Sequence, residues 1–201
     1  MSAPRTPPRG ARPPRGSRKV AEPHFLESLV DWRETPILKL HDREAFDCAE
    51  PELNEFLRRH AQQSNERGGA KTFIATPLDD GKRVLGYYSL SPASINCAQT
   101  PALVKKGLAR YDVPVFRLGR LAVDRTLQGR GLGGQLLLAA GRRCLRAATE
   151  VGGVALLIDA KNDRVAGWYQ TYGAIPLLDA PRSLVLPLAT IEAALKAAGR
   201  L

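Results

Sequence analysis

The run Val115-Phe-Arg-Leu-Gly-Arg-Leu-Ala-Val123, continued through Asp124 to Gln128 into Gly129, Gly131, Gly133 and Gly134, constrains the fold of this chain more than any other segment. It is an apolar strand that reaches a glycine-rich loop and then opens a helix, because Leu132, Leu136, Ala140, Cys144 and Ala147 recur on one helical side up to about Glu150. Gly119, inside the strand, marks a bulge or a close backbone approach. A short loop between strand and helix begins a β-α-β unit. The next apolar run, Val154-Ala-Leu-Leu-Ile158, is then a strand parallel to the first and covered on both faces. The glycines let the backbone take positive φ and come close to a ligand, while the N–H groups of the first helical turn have no carbonyl of their own. With Arg125 and Arg130 beside it, the loop is suited to an anion such as a phosphate. A tight strand-to-helix turn is the plainer alternative for a glycine-rich helix start taken alone.

Two better-known phosphate loops do not fit. There is no Gly-Lys-Ser/Thr ending, so the lysine and magnesium-binding hydroxyl of a nucleotide triphosphatase are missing. The last interval of Gly129-x-Gly131-x-Gly133 is wrong for a dinucleotide fold, and the acid some twenty residues on, Glu150, closes a helix instead of tipping a strand. What is left is Gln128-x-x-Gly131-x-Gly133 after a strand. This resembles the pyrophosphate loop of the GCN5-related N-acetyltransferases, the GNAT family, in which the anion belongs to coenzyme A.

Elsewhere the pattern is also that of alternating elements. Ile37-Leu-Lys-Leu40 is expected to be the first strand. Pro51 suits a helix start, and Leu53, Phe56, Leu57, His60, Ala61 and Ser64 share a helical face, with His60 read as a packed core histidine and Gly68-Gly69 as the stop. Residues 71–76 and 82–90 are β-rich runs joined through Leu78-Asp-Asp-Gly81, hence antiparallel neighbours. Residues 92–114 form a loop-rich crossing with a short helix near 102–110. Closing strands are expected at 174–178 and 183–188, and a last helix in 189–198. The sum is one α/β (α+β) domain over residues 23–201, with a mixed central sheet and flanking helices, preceded by a separate tail, residues 1–22.

Charge divides the chain the same way. The net charge is +10, and residues 1–19 hold six basic side chains, five prolines and no acid. Such a tail cannot bury enough apolar surface to offset its ordering entropy, so disorder is expected; it can hold nucleic-acid phosphates or merely solubilise. Its prolines spoil the amphipathic helix of an organelle transit peptide. No apolar run approaches the roughly 20 residues of a membrane span, and no signal-peptide core is visible, so no membrane association and a cytoplasmic location are expected. Cys48, Cys97 and Cys144 and the scattered His24, His41 and His60 share no metal-type spacing, and no metal is expected.

A second motif, Asn162-Asp-Arg-Val-Ala-Gly-Trp168-Tyr169-Gln-Thr-Tyr172-Gly173, has the form of the helix that follows the second central strand in GNAT enzymes. The resemblance implies that strands near 115–123 and 154–159 splay apart, with acetyl-CoA as cosubstrate in the gap. Leu121, Ala122 and Val123 would then line the pantetheine arm. Gln128, Gly129, Arg130, Gly131, Leu132, Gly133 and Gly134 would hold the pyrophosphate, and Asn162 would contact the coenzyme. Tyr169 would be the general acid, since a phenol of pKa about 10 is protonated at neutral pH and can donate to the departing thiolate. Tyr172 is expected to pack in the core.

Phe46-Asp-Cys-Ala-Glu-Pro-Glu-Leu-Asn-Glu-Phe-Leu57, Gly86-Tyr-Tyr-Ser-Leu-Ser91 and Asp159-Ala-Lys161 narrow the resemblance to the TacT-type toxins of type II toxin–antitoxin pairs, over roughly residues 37–190. Cys48-Ala49 stands where that group has Cys-Gly, and Tyr172-Gly173-Ala174 where it commonly has Phe-Gly-Phe. Members acetylate the α-amine of aminoacyl-tRNA and block translation, pair with a ribbon-helix-helix antitoxin, and form homodimers. An α-amine of pKa near 8 is partly neutral already, so no strong dedicated base is required, and none is visible in the motifs. Arg83, Lys105, Lys106, Arg110, Arg117 and Arg120 are candidate tRNA phosphate contacts, with solvated surface charge as the plain alternative. Competing readings are an N-acetyltransferase for a protein or small-molecule amine, and a non-catalytic nucleic-acid or antitoxin-binding module.

Overall fold

The computed structural model describes residues 31–108 and 110–199, and the expected tail lies outside the described residues. Seven strands form one mixed sheet in the order β1-β2-β3-β4-β5-β7-β6. The first half is an antiparallel meander of β1 (Trp32–Pro36), β2 (Lys71–Pro77), β3 (Gly86–Ile95) and β4 (Val113–Val123). Helix α4 (Leu132–Val151) carries the chain from β4 to β5 (Ala155–Asp159), and these two strands are parallel, as a strand-loop-helix-strand unit requires. After α5 (Asp163–Thr171), β6 (Ile175–Pro176) and β7 (Ser183–Pro187) add antiparallel on the far side, and α6 (Leu188–Ala197) ends the described chain.

Strand alternation assigns the two faces. Phe73, Tyr88, Leu118, Leu156 and Ile158 lie in the same cluster as Leu136, Leu137, Ala140 and Cys144 of α4 and Ile191 and Leu195 of α6. Their immediate neighbours along the strands point the other way. Ile74, Tyr87 and Ala122 pack under Phe46, Phe56, Leu57 and Ala61, while Val113, Val115, Ala155, Leu157 and Val185 pack under Val104 of α3 (Ala102–Lys105). The second face is therefore covered in two separate patches, one by each half of the sheet.

Several local expectations change. Residues 37–40 are not a strand: β1 ends at Pro36, and the chain turns as the Leu38 N–H donates to His41 Nδ1 at 3.0 Å and the His41 N–H to the Leu38 carbonyl at 3.3 Å. Leu38 and Leu40, the apolar pair behind that expectation, face solvent. The helix from Pro51 is broken into α1 (Pro51–Glu55), a π-helical turn at Phe56–His60 and α2 (Ala61–Glu66). A π turn holds more residues than an α turn, so Ala61 comes back into phase with Leu57 while His60 rotates out into solvent, contrary to its expected core position. The helix expected over 102–110 stops at Lys105. Among the described residues no helix is long and apolar enough to cross a membrane.

Candidate active site

The β4–β5 pairing is short. Only Phe116↔Leu156, Arg117↔Leu157 and Leu118↔Ile158 are in register, although β4 runs on to Val123. Gly119 is skipped in the ladder with β3, where Ser89 pairs with Arg120 and Leu90 with Leu118. It is the bulge anticipated in the sequence. The extra residue bends and twists β4 where it leaves β5. From Gly119 onward β4 is paired to β3 on one side, and among the described residues no strand pairs with its other edge. Leu121 and Val123 turn toward α4, and Ala122 toward the Phe46–Phe56 patch. A wedge-shaped gap thus lies beside the three residues expected to line a ligand arm.

The glycine loop closes the wide end of this wedge. A 3-10 turn, Arg125–Leu127, is capped by Asp124, whose Oδ1 accepts the Thr126 N–H at 3.0 Å and the Thr126 hydroxyl at 2.6 Å. Gln128 Nε2 donates to the carbonyls of Val123 at 3.1 Å and Cys48 at 3.0 Å, so its side chain fastens the loop to β4 and to the segment before α1. Gly129 and Gly131 have φ of 76° and 81°, the latter as the residue before α4. The first-turn N–H groups of Leu132, Gly133 and Gly134 lack helical acceptors. Gly134 is required for packing, since a Cβ there would lie 2.5 Å from Tyr172 Oη, whereas one on Gly133 would meet Trp168 no closer than 3.5 Å. Arg130 is exposed, and Arg125 pairs with Asp47 at 3.2 Å.

On α5, Tyr169 is 7% exposed and its hydroxyl has no hydrogen-bond partner among the described residues. Burial pushes its phenol above the ordinary tyrosine value, so it stays protonated well past neutral pH. Trp168 stands edge-on to both Tyr169 and Tyr172, with ring centroids 4.8 and 4.9 Å apart. The Asn162 carboxamide oxygen accepts the Val165 N–H at 2.9 Å as the N-cap of α5, a duty the motif did not reveal. Tyr172 packs against Gly134, as a core role would have it.

The six basic candidates are not gathered in one place. Arg83 lies in the β2–β3 connection, and Lys105, Lys106 and Arg110 in the β3–β4 connection, at opposite ends of β3 and so roughly 30 Å apart. Lys105 Nζ donates to the Cys97 carbonyl at 2.9 Å, bracing its own loop. Arg120 lies 3.6 Å above the Phe56 ring, and Arg117 Nε is 3.9 Å from Asp159 Oδ2. Both face the gap between the two covered patches. Ion pairing of Lys161 with Glu50 links the end of β5 to the start of α1. Asp159, Lys161 and Glu50 stood in the sequence only as parts of motifs carrying the resemblance and Ser183 only in an expected strand; none was given a site role, because only the strand pairing brings them to the wedge.

A model of the acetyltransferase (GNAT) family matches residues 28–174. This chain belongs to the GNAT acetyltransferase family. Among its relatives, a tRNA-acetylating toxin of Mycobacterium tuberculosis is 40% identical over 128 residues, 64% of this chain and 75% of that protein. AtaT complexed with acetyl-methionyl-tRNAfMet is 30% identical with a TM-score of 0.76, covering 82% of this chain and 99% of that one. A mutant AtaT toxin bound to the C-terminus of the antitoxin AtaR and to acetyl-CoA is 29% identical with a TM-score of 0.70, over 82% of this chain and 98% of that one.

Within this GNAT chain the segment before α1 carries a departure with a measurable consequence. Ala49 has φ of 64°, the only positive φ at a non-glycine residue among the described residues, and its N–H donates to Asp47 Oδ1 at 2.8 Å. A left-handed conformation costs a Cβ-bearing residue about 1–2 kcal/mol, partly offset by the extra unfolded-state freedom of glycine. Ala49→Gly is therefore expected to stabilise the protein by about 0.5–1 kcal/mol, read as a higher denaturant midpoint at unchanged m value.

Proposed function

We propose that this GNAT acetyltransferase is the toxin of a toxin–antitoxin pair and moves an acetyl group from acetyl-CoA to the α-amine of aminoacyl-tRNA, so blocking translation. The observation that carries the reading is the edge of β4 from its bulge to the glycine loop, which pairs with no strand among the described residues, with the Tyr169 phenol on α5. Acetyl-CoA, when bound, supplies the reactive thioester. Its pyrophosphate fits the first-turn N–H groups at Leu132, Gly133 and Gly134 together with Arg130, and its amide-bearing arm fits the open backbone of Leu121, Ala122 and Val123. Gln128 and Asn162 keep the loop and α5 in position, with Asn162 offering its amide N–H to the coenzyme. Tyr169 gives its proton to the sulfur as the thioester collapses.

The acceptor reading is supported by the relatives, which include a tRNA-acetylating toxin and a structure holding acetyl-methionyl-tRNA. Arg83 lies at one end of β3, Lys105, Lys106 and Arg110 at the other, and Arg117 and Arg120 on β4 between them, a spread that suits a large polyanion better than a small amine. A ribbon-helix-helix antitoxin, a homodimer, a cytoplasmic location and the division into a basic tail (1–22) and a catalytic unit (23–201) complete the proposal. Incubation with acetyl-CoA and a mixture of charged tRNAs is expected to give acetyl-aminoacyl adducts by mass spectrometry after nuclease digestion. Acetylated peptide or polyamine with unmodified charged tRNA would overturn the acceptor assignment and leave the acetyltransferase.

A further inference from the structure

The narrow end of the wedge holds a carboxylate. Pairing between β4 and β5 stops at Leu118↔Ile158, immediately before the Gly119 bulge on β4, and the next residue on β5 is Asp159, its last. Every other residue of β5 is buried, and Asp159 alone is exposed, on the side away from α4 and α5. Gly119 carries no side chain, and a Cβ there would stand 3.2 Å from Ser89 Oγ on β3. The carboxylate is held from two strands. Ser183, its register partner on β7, donates its hydroxyl to Asp159 Oδ1 at 2.7 Å, and Arg117 Nε on β4 stands 3.9 Å from Oδ2. The Ser183 hydrogen bond orients the carboxylate, and both oxygens keep lone pairs for a further donor.

We propose that Asp159 is the group that binds the acceptor amine and removes its proton, a role that rests on the acetyltransferase reading above. The arm expected along Val123, Ala122 and Leu121 runs toward Gly119, so its reactive end comes to the apex where Asp159 stands. Tyr169 belongs to the α4 and α5 face of the sheet and Asp159 to the opposite face, which separates proton donor from proton acceptor. The amine nitrogen forms its bond to the acetyl carbon, and the C–S bond breaks with its electron pair going to sulfur. Asp159 takes the N–H proton that becomes acidic on attack, Tyr169 protonates the sulfur, and the proton on Asp159 returns to the phenolate through solvent. The net change is amine plus thioester to amide plus thiol. A weak base suffices, because it acts on the ammonium created by attack and not on the free amine.

Asp159→Asn keeps size and the acceptor for Ser183 while removing the basic oxygen. With charged tRNA, its kcat is expected to fall about 100-fold near neutral pH, at unchanged acetyl-CoA affinity and melting temperature. The deficit should shrink as pH rises from about 6.5 to about 9, because hydroxide replaces the missing base. A merely structural role would not produce that convergence. Ser183→Ala, which frees one carboxylate oxygen, should cost less than tenfold. Unchanged kcat in Asp159→Asn, or a loss equal at every pH, overturns the assignment while leaving the tRNA reading intact. If the wild-type protein acetylates a peptide or polyamine instead, the tRNA reading fails and the same pH comparison on that amine decides the role of Asp159. If it acetylates nothing, both fail.

Discussion

Tyr169→Phe is expected to lower kcat by about 100- to 1,000-fold with no loss of acetyl-CoA binding and no drop in melting temperature. The phenol has the two properties a donor at this step needs. It is buried to 7% exposure on α5 with no hydrogen bond to any described residue, so removing the oxygen breaks no contact that supports the fold. Burial also holds its ionisation above the ordinary tyrosine range, so the proton remains in place through neutral pH and beyond. Phenylalanine keeps the edge-on packing against Trp168 at 4.8 Å. Without the donor, the sulfur leaves as a thiolate or takes its proton from water, and the rate falls chiefly in kcat. Single-turnover measurements at saturating acetyl-CoA check this, with calorimetric binding as the control. Activity equal to wild type, or a parallel loss of coenzyme affinity, would show that Tyr169 is not the donor.

How much of this was legible beforehand follows from the range of the interactions involved. Strand β4, its glycine loop, α4, β5 and α5 are consecutive, and their identities follow from local pattern: alternating or continuous apolar runs, glycines at a helix start, an apolar helical face. A bulge at Gly119 was one of the two readings its sequence position offered, beside a close backbone approach, and the ladder with β3 has the bulge. Failures came where one side chain or one extra residue decides the outcome. Nothing in Ile37-Leu-Lys-Leu40 announces that His41 will accept the Leu38 N–H and end the strand early. Nothing in Phe56–His60 announces a π turn that turns His60 outward. The charged candidates were identified by composition, and their partners by topology alone: Arg120 lies on Phe56 and Arg117 against Asp159 because a bulge and a parallel pairing put them there.

Gly131→Val should weaken acetyl-CoA binding about 100-fold, and the comparison with Gly133→Ala separates the reasons. Gly131 sits at φ 81° immediately before α4, where a β-branched residue is strained by about 1–2 kcal/mol, and its side chain would stand among the N–H groups expected to meet the pyrophosphate. A loop relaxed to relieve that strain no longer aims those groups at one point, so binding suffers either way. Gly133 has no positive φ, and a Cβ there makes ordinary contact with Trp168 at 3.5 Å, so alanine should leave the free protein as stable as before. If the first turn of α4 also approaches a bound phosphate closely, Gly133→Ala still loses affinity, by about tenfold, without a stability change. Melting curves with and without acetyl-CoA give both quantities at once, because ligand that binds only the folded state raises the midpoint by an amount that grows with the logarithm of its affinity. A normal acetyl-CoA-induced shift in Gly131→Val would place the anion somewhere other than this helix start.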